Sequence, residues 1–152
     1  MAATKKYENV IASLNTYIQA SLAAYELEFP GAELDTEAQI EGWIRVDYME
    51  NVAQFIRNYT TASAGAVRFV GLSFNCFSKD SSAAYRPQTL RDAVLNYFAP
   101  KTEIDFTDHV GSGAAGGLGK LHVWNVMSDT PLPMQDGVRG HNYTVSVRYE
   151  ES

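Results

Sequence analysis

A single cysteine, Cys76, excludes an intrachain disulfide in this 152-residue chain. It sits in the apolar run FNCF, where a small buried side chain is the expected role and no catalytic partner is evident nearby in sequence. No run of about 18 apolar residues is present, so no membrane-spanning helix is expected. The opening MAATKKYENV leads into an amphipathic pattern, unlike a secretory leader. The expectation is therefore a cytoplasmic product, in which the sequons at Asn58 and Asn142 carry no weight. Positive charge is also scarce: 12 Lys and Arg stand against 18 Asp and Glu, a net charge of −6. A surface that grips nucleic acid has to displace phosphate counterions, so this balance argues against tight binding of DNA or RNA.

What remains is an ordinary globular composition, 45% hydrophobic and 20% charged, of a length that suits one domain over residues 1–152. Tyr7, Val10, Ile11, Leu14, Tyr17, Ile18 and Leu22 fall on one helical stripe and predict a helix over 4–22. Tyr25, Leu27 and Phe29 then alternate with glutamates as a short strand, ended by Pro30-Gly31. WIRVDYM, residues 43–49, alternates too: Ile44, Val46 and Tyr48 face one way, Trp43, Arg45 and Asp47 the other. Residues 52–59 read as a strand extension or a hairpin arm, and AVRFVGLSFNCF, residues 66–77, as the central strand. Pro87 suits the first turn of a second helix, which carries Leu90, Ala93, Val94, Tyr97 and Phe98 on one face until Pro100 stops it. EIDFT, KLHVWNVM and HNYTVSVRY are further strands, the last two separated by a long polar loop, SDTPLPMQDGVRG. Helix, strands, helix, strands is the order of an α+β fold: a largely antiparallel or mixed β-sheet with two amphipathic helices packed on one face.

Two stretches invite a chemical reading. HVGSGAAGGLGK carries G-x-G-x-x-G spacing at Gly111, Gly113 and Gly116, and ends in Gly119-Lys120 like the tail of a phosphate-binding loop. Such a loop works because the helix after it aims N–H donors and a positive dipole at phosphate. Residues 120–127 alternate as a strand instead, no βαβ unit frames the glycines, and Leu121 stands where a magnesium-binding hydroxyl belongs. A glycine-rich connection is the better description, with mobility expected in the free subunit. In DFTDH, Asp105, Asp108 and His109 could in principle hold a metal or move a proton. Alternation places Asp105 toward solvent, and neither His122 nor His141 supplies a partner at ligand spacing, so no metal, cofactor or catalytic residue is assigned.

The order of segments resembles the phage tail terminator family of long-tailed, lambda-like phages. YELEFPGAEL followed by GWIRVDYME is similar to that family's helix-then-hairpin opening, in which an aromatic and a proline precede a strand of W/Y-x-R-V type. VGLSFNCFSKDSSAAYRPQTLRDAVLNYF resembles its next strand, loop and helix, and HNYTVSVRYEES its closing V-x-V-x-Y strand. The likeness spans residues 5–150; the stretches from Glu50 to Gly65 and from Ser128 to Gly140 are longer than the family pattern. Membership would imply a non-enzymatic virion protein: a hexameric ring at the head-proximal end of the tail, reached from the host cytoplasm during assembly. Its partners would be other copies of itself, the major tail tube protein and the head–tail connector protein, with DNA passing through an acidic lumen that does not hold it. On this reading the candidate contact residues are Trp43, Arg45 and Asp47 on the polar strand face, Gly111, Gly113, Gly116, Gly117 and Lys120 in the glycine segment, and Met134 and Arg139 in the long loop. Another neck or tail-completion protein of similar fold, and a small nucleotide- or metal-dependent enzyme using residues 105–120, are the alternatives.

Overall fold

The computed structural model describes residues 7–32, 42–50, 66–79, 85–109 and 117–151. The expected extension over 52–59 lies outside the described residues. The elements run α1 (Tyr7–Ser21), β1 (Leu27–Glu28), β2 (Trp43–Glu50), β3 (Ala66–Lys79), α2 (Arg86–Phe98), β4 (Glu103–Thr107), β5 (Gly117–Gln135) and β6 (Val138–Glu151). The six strands form one curled mixed sheet in the order β1-β2-β3-β6-β5-β4, an α+β fold. Only the short β1–β2 pair is parallel; the other neighbours are antiparallel.

Strict alternation sorts the sheet into two faces. Ile44 and Val46 on β2, Val70, Leu72, Phe74 and Cys76 on β3, and Tyr143, Val145 and Val147 on β6 are all buried on the helix side. α1 lays Val10, Leu14, Ile18 and Leu22 on this face, and α2 adds Leu90, Val94 and Phe98, so both helices share one core. Each such side chain contributes about 1.5–3 kcal/mol over an exposed one. Phe98 is the keystone between helices and sheet. Its ring lies 4.8 Å from Phe74 and 5.2 Å, edge-on, from Tyr17, while its carbonyl accepts a 2.8 Å bond from the Tyr143 hydroxyl. α2 begins with Pro87 in its first turn and ends where Pro100 forces Ala99 into an extended conformation (φ −67°, ψ 150°).

The expected loop over 128–140 is a correction. β5 continues through Gln135 and turns into β6 at Asp136-Gly137, whose φ values of 52° and 73° are those of a type I′ hairpin turn. Pro131 and Pro133 are tolerated because β5 lies at the edge of the sheet there, where missing N–H groups break no ladder. The strand also begins earlier than alternation predicts. Gly117 and Gly119 pair with Thr107 and Phe106 around a bulge, and Gly119 adopts φ 116°, a conformation that favours glycine.

Candidate functional site

The three groups of DFTDH part company. Asp105 faces solvent on β4 and accepts a hydrogen bond from Lys120 Nζ of its cross-strand partner, which raises the lysine pKa. Asp108 turns inward: its Oδ1 accepts from Asn9 Nδ2 at 3.1 Å, and Asn9 Oδ1 accepts from the backbone N–H of His109 at 2.8 Å. Asn9 is buried, and Ser13, one turn further along α1, exchanges hydrogen bonds with the Thr107 backbone. These polar residues on the inner stripe of α1 therefore join the helix to the end of β4. Among the described residues no group of three or more His, Cys, Asp or Glu side chains is arranged to hold a metal ion.

Gly111, Gly113 and Gly116 lie outside the described residues, as does the mobility expected there. The element after them is strand β5 and not a helix, so the donors and dipole of a phosphate cradle are not supplied from that side. Gly117 opens β5, and Lys120 is committed to Asp105.

A second polar cluster joins α2 to the hairpin, and alternation alone did not reveal it. Arg91 donates through Nε and Nη2 to the two oxygens of Asp129 on β5, and His141 Nε2 lies 2.6 Å from Asp129 Oδ1. The hydrogen bond from Arg91 holds the Asp129 carboxyl below the usual range, with His141 adding to the effect. Gln88 Nε2 faces the other ring nitrogen of His141 at 3.5 Å. Cys76 is the cross-strand partner of His141, so the fold brings Cys, His and Asp to one place. A nucleophile needs an exposed, stabilised thiolate. Cys76 is fully buried and its thiol is pushed up to about 12 by that burial, with no bond to His141; the cluster's evident work is to tie α2 to β5.

The outer face of the sheet bears no helix among the described residues. Its centre is a ladder of small polar side chains: Asn142 donates to Ser73 and Asn75, and Thr144 to Ser73 and Asn142. Toward β2, Trp43, Arg45 and Asp47 share this face as alternation predicts. Trp43, however, is buried. Its ring packs 5.5 Å from that of its cross-strand partner Phe77, which Arg45 covers from 5.5 Å while also pairing with Glu28. As placed, Trp43 offers little surface to a partner; the pairing of two large rings on neighbouring strands accounts for its burial. Toward β5 the reverse holds. Trp124 is 50% exposed, with Phe69 at 6.2 Å and the Arg148 guanidinium 5.7 Å over its ring. Alternation with Lys120 and His122 in KLHVWNVM was the signal that placed it on the polar face.

Beyond Val123, which bonds to Lys101 and Thr102, β5 has no further strand on its outer side among the described residues. Val126, Met127 and Met134 are exposed along this edge with Trp124. Arg139 stands near the turn on β6, opposite Ser78.

No family model matches the chain, and no curated protein does. Among solved structures, a chain that carries no functional name is similar over 97% of this chain and 98% of its own, at a TM-score of 0.63 and 10% identity. A likeness of that kind shows a common fold. No helix among the described residues is long and apolar enough to cross a membrane.

Proposed function

We propose that this chain is a phage tail terminator: a virion structural protein that assembles as a ring on the tail tube, stops its polymerisation and offers a surface to the head connector. The observation that carries the reading is the concentration of exposed apolar side chains on one edge strand. Trp124, Val126, Met127 and Met134 are four of the seven large hydrophobic residues that stand exposed among the described residues, and all four lie on β5. Exposed aromatic and methionine side chains beside an open sheet edge suit burial by another protein. The order of segments over residues 5–150 supports the same family, and a net charge of −6 suits a conduit that DNA must traverse without binding.

The polar clusters support a structural role too. Asp105, Asp108, Asp129 and Arg91 are each engaged in joining elements to one another. The function is tested by following polymerisation of the major tail tube protein by light scattering. A small molar fraction of this protein is expected to arrest tube growth at a fixed length. Growth that continues unchanged at equimolar protein contradicts the proposal.

A further inference from the structure

Among the described residues the sheet has two open edges, and they are unlike. On one side β1 covers only the start of β2, pairing with Ile44 and Arg45, so Val46–Glu50 carries no strand on its outer side among the described residues. On the other side β4 and the Lys101–Thr102 backbone cover β5 as far as Val123, which leaves residues 124–130 without an outer strand among the described residues before Pro131. The remaining large hydrophobic exposed on a strand, Met49, lies on the β2 edge. Five of the seven exposed large hydrophobics thus border these two edges, and the other two, Tyr85 and Tyr97, belong to α2 or its cap.

We propose that the β2 edge of one copy, Val46–Glu50, seats against the β5 edge of the next, Trp124–Thr130, so that a second copy of this chain is the occupant of each. Strand sense permits the unlike pairing. β2, β3, β6 and β5 alternate in direction, each antiparallel to its neighbour. Head-to-tail repetition of the sheet therefore sets β2 of the next copy antiparallel to β5, the more stable arrangement for a short ladder. Charge favours it. Asp47 borders the β2 edge on the outer face, and Arg148, whose guanidinium lies 3.9 Å from the Glu150 carboxylate, sits over Trp124 beside the β5 edge. Pairing β2 with β2 brings Asp47 toward its own copy, and pairing β5 with β5 does the same for Arg148, whereas the unlike pairing opposes the two charges. The bulges around Trp124–Ser128 and the prolines at 131 and 133 confine the contact to a short window, so the edge does not template open-ended sheet growth. A contact between different surfaces is heterologous and closes into a ring when the rotation per copy divides a full turn.

This interface rests on the ring reading, and disulfide trapping separates the two. Cys76 is buried, so the parent protein offers no exposed thiol among the described residues. Met49→Cys is combined in turn with Asn125→Cys, Met127→Cys and Ser128→Cys, and oxidised after assembly at high concentration or on tail tubes. A double variant is expected to give a covalent ladder up to the ring, while each single variant gives no disulfide-linked species. Trp124→Ala is expected to raise the concentration needed for assembly by about tenfold or more, as loss of a central aromatic anchor does. Tyr85→Ala, on the helix side, leaves it unchanged. Rings that form by mass but give no ladder from any pair overturn the interface and leave the ring reading standing. Covalent dimers from a single variant overturn it in favour of like-edge pairing. Absence of any assembly overturns both.

Discussion

The two halves of the β5–β6 hairpin use the same pair of strands for opposite ends. At the base, Leu121 and Val123, the latter paired with Val147, lie under the helices, and all three are essentially inaccessible to water. Beyond Val123 the same strand carries its large apolar side chains out of the core, and Trp124, Val126, Met127 and Met134 stand between 42% and 51% exposed. Apolar content is similar in the two halves; what differs is whether the chain supplies its own cover. The base is held by this molecule's core, and the outer half is anchored by Arg91 and His141 at Asp129 while its apolar side chains remain available. Stability and recognition are thereby separated along one strand, and substitutions in the two halves should fail in different ways.

The largest effect is expected at the core. Phe98→Ala removes the ring that joins both helices to the sheet and should cost about 3–5 kcal/mol in a denaturant melt, as opening a large cavity does. A loss below about 1 kcal/mol would mean that Phe98 is not the keystone its contacts suggest. Next comes Asn9→Ala, which removes one buried and one part-buried hydrogen bond between α1 and the end of β4. It should cost about 2 kcal/mol, because Asp108 and the His109 N–H each lose a partner.

The anchor to the outer half is expected to be weaker and dependent on pH. Asp129 has a lower pKa in the folded protein than in the unfolded chain, chiefly through its bond from Arg91. Its contribution is therefore complete above the unfolded carboxylate value, about 3.9, and fades as pH falls through the lower folded value. Asp129→Asn should cost on the order of 1 kcal/mol at pH 7, and the difference from the parent should shrink below about pH 4. A difference that grows on acidification would contradict the assigned ion pair. The smallest effect on folding belongs to Trp124→Ala, expected to shift stability by less than about 1 kcal/mol because the ring is half exposed. If that variant melted as early as Phe98→Ala, the division between the two halves would be lost.

Periodicity carried the two helices and the positions of β2, β3 and β4 because each has one face in the core. Leu90, Val94 and Phe98 repeat at helical spacing for that reason, and Ile44 and Val46 at strand spacing. The outer hairpin escaped because no core patterns it: Ser128–Gln135 is mostly exposed, and its two prolines read as a loop until their edge position is known. The local signal was Asp136-Gly137, a type I′ turn pair flanked by strand residues. Trp43, offered as a contact candidate, is buried, and Trp124, to which the sequence assigned no role, is exposed, because alternation assigns a face without revealing what lies opposite. Phe77 is the registered partner of Trp43, whereas Trp124 sits in a bulge between Val123 and Val126 on an open edge. The Asp129–His141–Arg91 cluster depends on the hairpin register and on α2 crossing above it, neither of which is written in any one segment.

The most direct test of the proposed terminator role is electron microscopy of tail tubes, assembled from a phage major tail tube protein and mixed with this protein. A ring is expected at one end of each tube, lost with Trp124→Ala while the variant remains folded. Bare tube ends at every concentration, or protein coating the tubes along their length, would contradict it.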